Sequence, residues 1–504
     1  MAVTSLAVKK DLLQGTSFGA RTAEEEADVL ANYFVQTDQW KRMLRGEIDV
    51  VYGAKGTGKS AIYTLLEKSA DTVLFNNNIL TATAENPRGA TVFRNIVAAP
   101  PASEREFISL WKTYIVSVIG RRLQEYKIDN SDASEVIREL TEHGLLPVGG
   151  GLPALFRAAR NFVARFILRE PTSVTYGLSV DQATGMMLPT RTAEYNVATP
   201  VAQHELMSPD ELLEKADTAL AREGFKLWVL FDRLDVAFEE SRDLEKNALR
   251  ALFRVYNDLR GLGNISLKIF VRDDIWRRIT EDGFAEASHI TRTVTIRWDN
   301  PSLMNLAVRR LLNNPCIVSE LGAEVEAIMA DIEQQKKVFY QFFPRQIDIG
   351  PNKSETFEWL LGRTKDGTGV NTPRELIHFL SELRDEQIRR LERGESVPND
   401  ELLFDRSIFK TALKAVSEVR LTQTLLAEYA ELKPYVMAMN GEKASHTPST
   451  LARIWNVETS PAREKADALA KVGFFELRGD KQSPQYWVPF LYRDALSIVQ
   501  GSAD

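Results

Sequence analysis

A chain of 504 residues with 44 % hydrophobic and 26 % charged residues has an ordinary globular make-up. It is too long for one core, because single cores stop growing near roughly 250–300 residues. The net charge of -7 argues against a whole-molecule electrostatic glove for nucleic acid, and the single cysteine, Cys316, excludes an internal disulfide framework and a thiolate zinc cluster.

The opening stretch MAVTSLAVKKDLLQG meets charges too early for a signal-peptide hydrophobic region. The later apolar stretch LPALFRAARNFVARFIL is interrupted by arginines well short of the roughly 20 residues a membrane span needs. The expectation is a cytoplasmic protein with no membrane segment, in which residues 1–46 form an N-terminal helical segment.

The run VVYGAKGTGKSAIYT follows. Gly53, Ala54, Lys55, Gly56, Thr57, Gly58, Lys59 and Ser60 satisfy the phosphate-loop pattern G-x-x-x-x-G-K-[ST] at every fixed position, with Ala61 continuing it. Glycines let the backbone take positive φ and turn its N–H groups onto phosphate oxygens, while the following helix adds the partial positive charge of its N-terminus. In that pattern Lys59 reaches the β- and γ-phosphates and the Ser60 hydroxyl binds Mg²⁺. The β-branched and aromatic run Ile48–Tyr52 before the loop predicts a strand, and Ala61–Glu67 after it predicts a helix.

A hydrolase built on this loop needs an acidic residue at the end of a neighbouring buried strand. Leu227–Phe231 is five apolar residues, the look of a strand buried on both faces, and it ends in Asp232. Ser208-Pro209-Asp210-Glu211 predicts the start of the helix before it. Asp232 is therefore the candidate Mg²⁺ carboxylate. Asp235, three residues on, is either the general base and water-positioner or an N-cap to the next helix, with Glu239 and Glu240 as alternative bases. The next predicted strand, Ile265–Val271, ends in Arg272-Asp273-Asp274, where Arg272 either senses the γ-phosphate or pairs with a neighbouring acid.

The GxKGxGKSA loop, FDRLD and FVRDD together resemble a broad bacterial P-loop ATPase family that carries KGxGKSA and DRLD motifs. More distantly they are similar to KAP and NACHT-type STAND ATPases and to AAA+ origin-recognition-like ATPases. The resemblance covers roughly residues 18–300. It implies ATP and Mg²⁺ as cofactors, with Lys59 and Ser60 in the Walker A roles, Asp232 on Mg²⁺, Asp235 as catalytic acid and Arg272 as sensor. It implies adenine over guanine; no N-K-x-D tetrad and no L-S-G-G-Q signature is present.

The fold class expected is α/β: a P-loop NTPase parallel-sheet core (47–300) with a large insertion, a helical lid (301–395) and a C-terminal helical, winged-helix domain (396–504). The long separation of Lys59 from Asp232 calls for the insertion, placed at about 130–202. It contains the turn Gly149-Gly150-Gly151, a basic amphipathic segment Phe156–Phe166 and the hairpin-like TSVTYGLSVDQATGMMLPTRTAEYN. The basic segment is either a partner or nucleic-acid surface or a helix that packs its Phe and Val face with solvated arginines opposite.

In the lid, Thr372-Pro373-Arg374-Glu375 predicts a capped helix start, which sets Arg374 in the first turn as a sensor-2-like contact to the nucleotide or as a solvated helix arginine. Arg277, Arg278, Arg292 and Arg297 are all open as an arginine finger acting between copies in a homo-oligomer. Gly394–Asp400 reads as a linker. Thr447-Pro448 and Ser460-Pro461 start two helices, Gly473 stops the second, and FFELR and YWVPF make a hairpin. Two functions remain open. One is an ATP-driven switch that reports its nucleotide state to a separate effector or sensor protein, by resemblance in antiviral defence. The other is an origin-recognition-type ATPase whose winged helix holds DNA, a weaker expectation because the second helix balances its basic and acidic residues.

Overall fold

The computed structural model describes residues 6–20, 22–23, 25–35, 37–84, 104–147, 151–167, 173–180, 187–194, 207–234, 242–281, 283–322, 324–395, 402–480 and 482–503. Asp235, Glu239, Glu240, Gly149, Gly150 and residues 396–400 of the linker lie outside them. The chain divides into two compact units. One comprises Asp38–Gly53 and Lys59–Thr295; the other comprises Met1–Thr37, Ala54–Gly58 and Ile296–Asp504.

The first unit is built on a parallel sheet of five strands, β1 (Val50–Gly53), β2 (Ile79–Thr83), β5 (Lys226–Phe231), β6 (Ile265–Arg272) and β7 (Thr293–Thr295). Their order is β2-β5-β6-β1-β7. The runs VVYG and LWVLF are buried throughout, because helices cover both faces of a parallel sheet. The loop strand thus lies between β6 and β7. This corrects one expectation: β5, which leads to Asp232, is not the neighbour of β1, since β6 pairs with both.

Between β2 and β5 the chain forms helices Glu104–Glu125, Ser131–Glu142 and Leu152–Ile167 and an antiparallel pair, β3 (Ser173–Val180) and β4 (Met187–Glu194). The basic segment packs: Phe156, Ala159 and Val163 are buried and Arg157 is exposed. Phe156 meets Trp111 at 6.4 Å and Tyr114 at 5.2 Å, and Trp111 meets Phe231 of β5 edge-on at 6.0 Å. These aromatic contacts tie the inserted helices to the strand that ends in Asp232. The helix Pro209–Arg222 starts where Ser208 predicts, with a complete capping box to Glu211.

The second unit has a single core running from Leu12 and Phe18 through the helices after Asn300 to Leu496. Phe343 stacks between Phe339 (4.2 Å) and Phe404 (4.5 Å), and Trp359 meets Phe409 edge-on at 6.1 Å. Residues on both sides of the 396–400 segment therefore share that core. Toward the C-terminus come the helix Lys433–Met437, β8 (Lys443–His446), helices Pro448–Trp455 and Thr459–Lys471, β9 (Glu476–Arg478), β10 (Gln485–Trp487) and β11 (Val499–Ser502). Helix, strand, two helices and an antiparallel β9–β10 hairpin are the winged-helix order.

Two local expectations change. The helix Thr459–Lys471 begins two residues early, with Glu458 in the N-cap position, because a proline costs nothing in a first turn whose N–H groups lack helical partners. The helix Pro373–Glu392 begins as predicted, but Thr372 makes no side-chain cap bond. Half-buried Arg420 takes the Glu375 carboxylate at 2.9 Å, and the Thr372 hydroxyl turns to that same carboxylate instead of the helix backbone.

Candidate functional site

The carboxyl end of the parallel sheet gathers the residues that the motifs single out in the first unit. β1 ends at Gly53, and the helix Lys59–Lys68 begins with Lys59 and Ser60, with no acidic residue in its first turn to oppose an anion. The Lys59 side chain is buried and its Nζ donates to the Gly53 carbonyl at 2.7 Å, so it folds back along the loop. The register of β1 and β6 pairs Gly53 directly with Arg272. The Arg272 guanidinium donates to Asp274 through Nε at 3.0 Å and Nη2 at 2.9 Å. Burial pushes the Asp274 carboxyl up, yet the charge and hydrogen bonds of Arg272 together with the charge of Arg278 and a backbone hydrogen bond hold the group below its ordinary range. Asp232 follows the last residue of β5 and is buried. Among the alternatives for an arginine finger, Arg278 pairs with Glu245 at 2.9 Å and Arg292 with Asp49 at 3.2 Å, whereas Arg277 and Arg297 are exposed.

The register behind this arrangement is held by a buried charge pair. Lys268 of β6 is 1 % exposed and donates to the Ile48 carbonyl at 2.7 Å and to Asp49 at 2.8 Å. Tyr256 donates to the other Asp49 oxygen at 3.2 Å. Burial drives the Lys268 ammonium below its usual pKa, against the pull of Asp49.

In the second unit, Ala54–Gly58 meets side chains from distant parts of the chain. Gly56 and Gly58 have φ of +84° and +97°, the left-handed backbone that glycine alone takes without strain. A Cβ on Gly56 would lie 2.9 Å from the Thr372 hydroxyl and 3.0 Å from the Arg374 Cβ, so Arg374 does sit beside the loop. Trp298 donates its indole N–H to the Thr57 carbonyl at 2.9 Å. The Lys55 ammonium pairs with the carboxylate of Glu428, which ends the short helix Leu426–Glu428. Lys55 also borders a cavity of about 320 Å³ lined by Arg374, Glu375, His378, Arg420 and Gln423 among others.

Trp298 and Glu428 escaped the reading of the sequence, and Thr372 was legible there only as a helix cap, because each meets the loop across hundreds of residues. The one signal was Lys55 itself, a charged side chain at a position where the phosphate-loop pattern asks for none. Among the described residues no group of three or more His, Cys, Asp or Glu side chains converges on a metal, and no helix is long and apolar enough to cross a membrane.

Strand, glycine-rich loop and helix on a five-stranded parallel sheet make this a P-loop α/β protein, with a winged-helix arrangement toward its C-terminus. No protein-family model matches the chain, and no curated protein does. Among solved structures it is similar to the Aeropyrum pernix ORC1 protein in complex with DNA, at 11 % identity over 93 % of this chain and 94 % of that one, with a TM-score of 0.38. It is also similar to the Aeropyrum pernix ORC2 protein in its ADPNP–ADP complexes, at 12 % identity over 94 % and 93 % of the two chains, with a TM-score of 0.37. A third is Cdc6p from Pyrobaculum aerophilum, at 12 % identity over 92 % and 96 %, with a TM-score of 0.31. At these scores the likeness carries no argument about what the chain does.

Proposed function

We propose that the chain binds and hydrolyses ATP and works as a molecular switch that couples its nucleotide state to a partner protein. The observation that carries this reading is the complete phosphate loop between β1 and the helix Lys59–Lys68, with Arg272 in register beside Gly53 and Asp232 buried after β5. Backbone N–H groups of the loop and the Lys59 ammonium bind the phosphates; for Lys59 this exchanges the Gly53 carbonyl for phosphate oxygen. The Ser60 hydroxyl and the Asp232 carboxylate are hard oxygen donors and fit Mg²⁺, which is usually held by one or two protein oxygens plus phosphate and water. Bound there, Mg²⁺ would neutralise charge on the β- and γ-phosphates. Arg272 has its charge in reserve on Asp274 and would swing to the γ-phosphate, and Asp235 would orient the attacking water. Arg374, beside Gly56, would give the helix Pro373–Glu392 its contact with the nucleotide.

The fine reading of the switch, a STAND-like, oligomeric component of antiviral defence acting on a separate effector, rests on the motif resemblance. The test begins with Lys59→Ala, expected to abolish ATP binding. Asp235→Ala should keep binding and lose turnover. Turnover by Lys59→Ala at the wild-type rate would sink the ATPase reading, and normal hydrolysis by Asp235→Ala would move the base elsewhere.

The winged-helix order toward the C-terminus favours a second reading, a DNA-holding ATPase of origin-recognition type. It requires duplex binding that falls steeply with salt and is lost on neutralising Arg463, Lys465 and Lys471. No retention on duplex DNA at low salt would reject it.

A further inference from the structure

The phosphate-loop pattern uses the backbone and the side chains of its last two residues. Lys55 is a further cation on the same loop, two residues past Gly53, and its side chain is 32 % exposed. Its ammonium pairs with Glu428, whose side chain is 20 % exposed. Lys55 borders the 320 Å³ cavity, so it is not locked by close packing on every side. A phosphate cradled by the eight residues Gly53–Ser60 lies within the reach of a lysine side chain rooted in the middle of that cradle. A terminal phosphate carries more negative charge than one carboxylate and competes for the same ammonium.

We propose that Lys55 is a second nucleotide-directed lysine, aimed at the terminal phosphate, and that Glu428 is its positioning residue, a carboxylate that holds the ammonium until phosphate displaces it. The proposal rests on the ATP-binding reading above and deepens it. Glu428 sits on a segment that shares its core with the C-terminal module, through Leu425 and Leu432 on either side of it. Exchange of Lys55 from Glu428 to phosphate therefore releases one of the loop's contacts and signals the presence of a triphosphate to that module. Because ADP lacks the terminal phosphate, the exchange discriminates ATP from ADP.

The experiment measures ATP and ADP affinity, by calorimetry or a fluorescent analogue, for the full chain as wild type, Glu428→Gln, Lys55→Met and the double variant. Removing the competing carboxylate should tighten ATP about tenfold and ADP little, and Lys55→Met should weaken ATP by a similar factor. In the Lys55→Met background Glu428→Gln should change nothing, since the residue acts only through Lys55. An unchanged or weakened ATP affinity in Glu428→Gln overturns the proposal, as does an equal effect on ADP or an effect that persists without Lys55. Glu428→Asp, which keeps the charge, should bind like wild type; if it behaves like Glu428→Gln, packing is responsible and the proposal fails. A wild-type protein that binds neither nucleotide refutes the ATP-binding reading itself, a result distinct from all of these.

Discussion

The Asp49–Lys268 pair provides the sharpest test of how the sheet positions the loop. Both residues are buried, at 2 % and 1 % exposure, and their charged atoms lie 2.8 Å apart. At an effective dielectric of 20 that separation corresponds to an attraction of about 6 kcal/mol, most of it offset by desolvation. Asp49→Asn removes the attraction and leaves the desolvation, so it should cost about 3–5 kcal/mol, a fall of roughly 10 °C in melting temperature for a unit of this size. Arg292, 3.2 Å from Asp49, softens nothing here, because it is a second cation around the lost carboxylate.

The sign of the pH dependence follows. Burial already holds the folded Lys268 pKa below its unfolded value, and without Asp49 it falls further. Between the folded and unfolded values the unfolded state binds more protons, so stability rises with pH through that window. Asp49→Asn should therefore regain stability between pH 7 and pH 10 more steeply than wild type. Lys268→Met added to Asp49→Asn should restore part of the loss at pH 7, with urea titration followed by circular dichroism as the assay. Since Asp49 and Lys268 set the register that pairs Gly53 with Arg272, Asp49→Asn should also weaken ATP binding. A loss below about 1 kcal/mol, or strict additivity in the double variant, would refute the reasoning.

In the second unit, Arg310 and Glu26 form a buried two-bond pair at 2.7 and 2.8 Å, and a Cβ on Gly19 would fall 1.6 Å from the Glu26 carboxylate. Glu26→Ala should therefore cost about 3–5 kcal/mol, and Gly19→Ala, with φ of +88°, should give a comparable fall in thermal unfolding. His446 is buried against the Lys443 carbonyl, and burial lowers its pKa. Below the ordinary histidine value of about 6.5 the unfolded chain takes up the proton first, so stability falls as pH drops through that range. His446→Gln should show a smaller drop in melting temperature between pH 7.5 and pH 5.5.

The elements that bear chemistry were legible because their signals are local. Five apolar residues before Asp232, a β-branched run before Gly53 and a capping box at Ser208 each specify their own backbone, and the structure has them within one or two residues. Strand order was not legible: nothing in LWVLFD states that β6 will slide between it and β1. That is decided by how crossover connections pack helices on both faces of the sheet. The same limit explains Thr372, whose capping signal is sound in isolation. Arg420, 45 residues away, claims Glu375 because a largely desolvated guanidinium needs a carboxylate more than a helix end needs its cap.

The loop itself joins these two kinds of information. Its glycines satisfy a motif explained by phosphate contact, yet Gly56 has a second reason to lack a side chain, since Thr372 and Arg374 occupy the space a Cβ would need. Gly58 takes a φ of +97°, a conformation that by itself favours glycine. Residues Ala54–Gly58 thus combine a phosphate-loop pattern with contacts to Trp298, Thr372 and Glu428. Those three residues and Ala54–Gly58 belong to one compact unit with the C-terminal module, so the proposed switch would pass a change in the loop directly into that unit. That route is what separates the proposed switch from a hydrolase alone.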